Sequence, residues 1–225
     1  MAKMDESGDR RPIATRRYAW VRRLVSRLVD RGVSPNAISV MGMICCLLAG
    51  IALAGTAQVE AGWIERGLWV SAALLIQARL LANMLDGMVA IESGQASPVG
   101  EFFNEVPDRI SDAAVFIGLG YAIHSSPTLG YLAAIAAILT AYIRVQARLA
   151  GAPADFGGPM AKQHRMFIGT VLAILMAVLP MGWRPIVADG PYGLPALVLL
   201  IILVGSAVTC IRRLAGAAGY LRGHK

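Results

Sequence analysis

The chain has 225 residues, 56% hydrophobic and 16% charged, with a mean hydropathy of +0.60. This balance excludes an ordinary soluble domain, and repeated apolar runs of about 20 residues point to an all-α integral membrane protein. The net charge of +7 arises from Lys and Arg at the edges of apolar runs, so membrane lipids are the expected partner and nucleic acid is not.

Residues 1–15 are polar and read as a disordered leader. Over 16–33, Trp20, Val21, Leu24, Val25, Leu28 and Val29 alternate with Arg22, Arg23, Arg27 and Arg31 at close to helical period. That pattern predicts an N-terminal amphipathic juxtamembrane helix lying among lipid headgroups. A six-helix membrane domain is expected over 34–215, opened by Ser34-Pro35-Asn36, and 216–225 reads as a basic cytoplasmic tail.

The first span is expected at 37–54. Ala52-Leu53-Ala54 imitates a signal-cleavage site, but the charged leader and the later apolar runs make 37–54 a membrane helix. The following spans are expected at about 68–91, 98–123, 128–148, 165–179 and 194–212, with 62–66 as a loop. Ser97 is the expected N-cap of the third, and Pro107 inside it should kink the helix or free a carbonyl beside Asp108. Cys45, Cys46 and Cys210 lack ligand spacing and read as apolar filler. Trp63, Trp69, Trp183 and Tyr192 read as interfacial anchors.

With both termini on one side, nearly all Lys and Arg outside the apolar runs fall on that side, and Arg66 and Arg184 on the other. The positive-inside rule makes the rich side cytoplasmic. The expected location is a bacterial inner (cytoplasmic) membrane, with the polar segment 79–112 at its cytoplasmic face.

That segment carries the chemistry. Arg79, Asn83, Asp86 and Ala90 follow steps of four, three and four, so they share one helical face. Asn104, Asp108 and Asp112 do the same on the next helix. A short connection containing Gly94, Pro98 and Gly100 allows the two helices to stand antiparallel, bringing Asn83, Asp86, Asn104 and Asp108 toward one point. Hard oxygen donors of this kind suit Mg²⁺ or Mn²⁺ and not zinc. Gly87 beside Asp86 leaves room for a bulky ligand to approach the backbone. Arg144, Arg148, Lys162 and Arg165 flank the Gly/Pro-rich stretch 149–160 and are candidates to hold an anionic headgroup or a lipid phosphate.

The spacing Asn83-x2-Asp86-Gly87-x2-Ala90-Ile91-x8-Gly100-x3-Asn104-x3-Asp108 resembles the motif D-x2-D-G-x2-A-R-x8-G-x3-D-x3-D of the CDP-alcohol phosphotransferase (CDP-alcohol phosphatidyltransferase) family. Five of the eight fixed residues agree. Ser34-Pro35-Asn36, Ala141 to Arg144 and Lys162 to Arg165 extend the likeness over most of the chain. The resemblance implies a membrane transferase of phospholipid synthesis that moves a phosphatidyl or phospho-alcohol group from a CDP-linked donor to an alcohol acceptor, releasing CMP. CDP-diacylglycerol is the expected donor, and a homodimer is implied. It further implies Asp108 as general base and metal ligand, with Asn83, Asp86 and Asn104 as the other ligands, and Gly87, Ala90 and Gly100 at the nucleotide.

The departures are Asn83 and Asn104 for two Asp and Ile91 for the Arg. Each Asn keeps an oxygen donor and removes one negative charge, which weakens a metal site and favours one ion over two. Arg79, one turn before Asn83, either replaces the motif Arg at the nucleotide, or snorkels to the interface or pairs with Glu101, Glu105 or Asp112. Beside the transferase stands a second reading, a catalytically degenerate relative that binds lipid or nucleotide as a scaffold. A transporter fits less well, because the acids sit at one surface and not at mid-bilayer.

Overall fold

A computed structural model describes residues 19–60, 62–95, 97–185 and 191–223. The described chain is all-α: α1 (Ala19–Asp30), α2 (Pro35–Gly55), α3 (Trp63–Glu92), α4 (Pro98–Gly120), α5 (Pro127–Leu149), α6 (Lys162–Val178) and α7 (Leu194–Gly223), with a 3-10 turn at Met181–Trp183. Three of these helices begin with the same device. In Ser34-Pro35, Ser97-Pro98 and Ser126-Pro127 the proline presets the first helical φ, and the serine Oγ accepts the N–H three residues on at 3.2, 3.2 and 3.4 Å. α4 continues through Pro107 to Gly120.

The helices pack through small residues. Ala49, Ala72, Ala133, Ala137 and Ala173 are fully buried, while Ile51, Leu74, Val178 and Ile211 are each about two-thirds exposed on outer faces. Large apolar groups outside and small ones inside suit a lipid solvent, where close backbone approach supplies the attraction between helices. The tightest case is α2 against α4. A Cβ on Gly50 would run into the carbonyl of Ala114, and one on Gly118 into the backbone of Gly50. α5 packs on α4 and α7, and α6 on α3.

Six long helices follow α1. Four of them, α2, α3, α5 and α7, are long and apolar enough to cross a membrane. α4 carries five charged residues, and α6 has 17 residues, which places both outside that set. Two boundaries differ from expectation for identifiable reasons. Residues 63–66, expected as loop, form the first turn of α3, because Glu65 is fully buried and accepts from Arg184 Nη1 at 2.5 Å and Trp69 Nε1 at 2.9 Å. Trp69 is therefore a core residue with its N–H satisfied, not an interfacial anchor, whereas Trp63 and Trp183 are exposed. α7 runs eleven residues past Arg212, through the Ala-rich stretch after Leu214. The expected leader, residues 1–15, lies outside the described residues.

Within 16–33, the described helix α1 lies against the C-terminal half of α3. Val21 and Val25 are buried on Met84, Leu85 and Val89, Ser26 donates to Glu92 at 2.9 Å, and Arg22, Arg23 and Arg27 face outward. At this same end the N-terminal half of α4, the N-terminus of α6 and the C-terminal halves of α5 and α7 bring their polar residues together.

Candidate active site

Asp86 is buried in α3, with only 5% of its surface exposed. Its carboxylate accepts from Ser39 Oγ of α2 at 2.5 Å and from the Gly87 N–H at 2.6 Å. Ser39 is the only hydroxyl between residues 37 and 54. Sequence reasoning passed over it as part of an apolar run, although a lone serine there was the available signal. Asp86 also lies within electrostatic reach of Arg79 and Asp108.

Arg79, two turns back on α3, is 1% exposed. Its Nε donates to Ser111 Oγ at 3.2 Å, and its Nη2 to Asn83 Oδ1 at 3.4 Å and to Asp108 Oδ1. Gly42 of α2 makes this placement possible: a Cβ there would stand 2.9 Å from Arg79 Cδ and 3.0 Å from Nη1. The partner is thus Asp108, and not Glu105 or Asp112. Lys162, at the start of α6, places Nζ on Asp108 Oδ1 as well, and Arg109 Nη2 lies 3.5 Å from Oδ2. A carboxylate withdrawn from water needs such partners to stay charged.

Of the other expected metal ligands, Asn83 belongs to this cluster through Arg79. Asn104 is exposed on α4 and takes none of the hydrogen bonds that tie Arg79, Asn83 and Asp108 together. Gly100 lies in the first turn of α4, bonded to Ser97, and Ala90 is half-buried on the face that carries Asp86.

The four basic residues expected to form one cradle do different things. Lys162 belongs to Asp108. Arg165 is 1% exposed and donates through its two terminal nitrogens to Asp112 Oδ2 at 2.8 Å, Met160 O at 2.8 Å and Thr140 Oγ1 at 3.1 Å, while its buried Nε has no partner. It ties α6 to α4 and α5 and does not face a ligand surface. Arg144 pairs with Glu105 and lies 5.0 Å over the Phe156 ring. Arg148 is exposed at the end of α5. Arg213 of α7, unremarked in the sequence beyond its charge, donates to Thr140 O at 2.6 Å and Gly157 O at 3.1 Å. Arg144 and Arg213 line a pocket of about 220 Å³ together with Ala152, Asp155 and Tyr220.

The sequence matches the CDP-alcohol phosphatidyltransferase family over residues 32–211. It is 28% identical to Inner membrane protein YnbA of Escherichia coli (strain K12) over 159 residues, 70% of this chain and 76% of that protein. It is 26% identical to phosphatidylinositol phosphate synthase of Mycobacterium tuberculosis (strain ATCC 25618 / H37Rv) over 193 residues, 83% of this chain and 80% of that one. The fold is similar to crystal structures of the Mycobacterium tuberculosis synthase. One holds manganese and citrate (TM-score 0.68, 23% identity, 88% of both chains), another CDP-DAG (TM-score 0.68, 22% identity, 88% of this chain and 92% of that one). With its motif spacing intact and the match running from before α2 into α7, this integral membrane protein belongs to the CDP-alcohol phosphatidyltransferase family, whose members are transferases.

Proposed function

We propose that the protein transfers a phosphatidyl group from CDP-diacylglycerol to an alcohol and releases CMP, in a bacterial inner membrane with its site at the cytoplasmic face. The observation that carries this reading is the convergence of Asp86 on α3 and Asp108 on α4, at the family's spacing, with Arg79 and Lys162 beside them. The relative solved with CDP-DAG supports the donor, and the one solved with manganese supports the cofactor.

The residues fit one Mg²⁺ or Mn²⁺. Among the described residues no three His, Cys, Asp or Glu side chains group to hold a metal. Two carboxylates with amide oxygens suffice for one such ion, which completes its shell with water and substrate phosphate. Asp86 and Asp108 would hold it, with Asn83 and Asn104 as neutral donors. Bound there, the ion neutralises pyrophosphate charge and steadies the leaving oxygen.

The chain's own groups do the rest. The Ser39 hydroxyl and the Gly87 N–H orient the Asp86 carboxylate. Gly87, Ala90 and Gly100 leave space along α3 and α4 for the nucleotide. When the pyrophosphate arrives, Lys162 and Arg79 gain a second anion to bond, which loosens their hold on Asp108 and frees it to accept the alcohol proton. The alcohol oxygen attacks the phosphorus that bears the lipid, a new P–O bond forms, and the bond to CMP breaks. A positioned carboxylate base is worth roughly 10²–10⁴-fold. The pocket beside Arg144 and Arg213 takes an acceptor carrying an anionic group.

The test is release of CMP by the detergent-purified protein given CDP-diacylglycerol, Mn²⁺ and a panel of alcohols and alcohol phosphates. Release that requires both donor and an alcohol is expected. No release with any alcohol, while CDP-diacylglycerol still binds, favours the scaffold reading, whose basis is Asn83, Asn104 and Ile91 in place of two Asp and an Arg.

A further inference from the structure

We propose that Arg79 is a tethered cation: its guanidinium fills the oxygen cage of Asn83, Asp108 and Ser111, limits the site to one divalent ion, and offers Nη1 to an oxygen of the donor's pyrophosphate. The pyrophosphate contact rests on the transferase reading above, whereas the ion count does not.

An arginine in the membrane-spanning part of a helix is costly and persists where it has a task. Arg79 is held on three sides by Ser111 at Nε and by Asn83 and Asp108 at Nη2. Its third nitrogen, Nη1, is buried and has no hydrogen-bond partner. A guanidinium has five N–H donors in a fixed fork, and an unbonded buried donor is a standing penalty. The fork is therefore set to receive one more acceptor. Gly42 leaves room for Nη1 itself, 3.0 Å from where a Cβ would stand.

Charge leads to the same result. Asp86 and Asp108 contribute two negative charges, and Arg79 and Lys162 two positive ones. Sites that displace phosphate esters often clamp both attacking and leaving oxygens with two metal ions. Here one dication already takes these four charges from neutral to +2, with Arg109 3.5 Å from Asp108 Oδ2 besides, and a second would find Asn83 Oδ1 and Asp108 Oδ1 already given to Nη2. A planar guanidinium matches phosphate geometry and cannot be deprotonated in a protein, so it serves the same electrostatic end without a bound ion.

The count of Mn²⁺ ions tests this directly. Mn²⁺ is titrated into the detergent-purified full-length protein, and bound ion is read from loss of the free Mn²⁺ electron paramagnetic resonance signal. The wild type should bind one ion per chain. The variant Asn83→Asp with Asn104→Asp should still bind one, more tightly, and adding Arg79→Gln should raise the count to two. A wild-type count other than one overturns the proposal, and needs no variant to fold. So does a count of two in the double variant with Arg79 intact.

CDP-diacylglycerol binding without metal gives the second readout. Arg79→Gln should weaken it about ten-fold or more, as loss of a charge-assisted bond does, with Arg79→Lys in between. Equal binding by wild type and Arg79→Gln removes the Nη1 contact. A wild type that binds one Mn²⁺ but no CDP-diacylglycerol overturns the donor reading and the contact with it, and leaves the ion count standing.

Discussion

The Arg79 guanidinium and the Asp108 carboxylate meet across α3 and α4 with side chains 1% and 8% exposed. Ser111, Asn83, Lys162 and Arg109 each contact one or other member of that pair. It joins the helix that carries Asp86 to the helix that carries the candidate base, and Lys162 brings α6 to the same oxygen. Mutations here should therefore separate into those that act on the base, on the metal ligand, on the frame and on the acceptor.

Ser39→Ala removes the hydroxyl bonded to Asp86. The expected cost in stability is about 1 kcal/mol, read by thermal unfolding in detergent. The larger effect should be on metal: the Mn²⁺ concentration for half-maximal CMP release should rise several-fold, because the carboxylate loses its orientation. An unchanged Mn²⁺ dependence would take Ser39 out of the site.

Asp112 and Arg165 test the frame. Both side chains are 1% exposed and bonded at 2.8 Å. Asp112→Asn should destabilise the protein by roughly 3–5 kcal/mol, since it leaves a buried guanidinium without its counter-charge. Replacing both with apolar residues of similar size should recover much of the loss in melting temperature. If Asp112→Asn melts like the wild type, the pair is not what joins α4 to α6.

Arg144→Ala tests the acceptor pocket. The prediction is about a ten-fold rise in acceptor KM with the donor KM unchanged, from loss of a charged hydrogen bond to an anionic acceptor. A change confined to the donor KM would move Arg144 to the other half of the site. The matching change Arg165→Lys should alter stability more than either KM, because Arg165 has no surface to offer.

How much of this was visible in the chain follows from what each feature depends on. The helices, and the starts of α2 and α4, were legible because apolar runs and Ser-Pro pairs are local signals, whereas the start of α3 depends on Glu65 meeting distant Arg184. The facing of Asp86 and Asp108 was legible because it follows from helical period and one short connection. Ser39 and Gly42 were not, since their roles depend on which face of α2 meets α3, and a nearly uniform apolar helix does not declare that face. The basic residues were misgrouped for a related reason: Lys162 and Arg165 are neighbours in sequence, yet one meets Asp108 and the other Asp112, one helical turn apart on α4. Trp69 was misplaced because its N–H is satisfied by Glu65, whose burial depends on Arg184, 119 residues from Glu65 in sequence.

The proposed mechanism turns on Asp108 taking the proton of the attacking alcohol. Single-turnover release of CMP from CDP-diacylglycerol, in Mn²⁺ with an active acceptor, measures it most directly in wild type and Asp108→Asn. A fall of about 100-fold or more is expected in the variant, with CDP-diacylglycerol binding retained. Equal rates in the two proteins would contradict it.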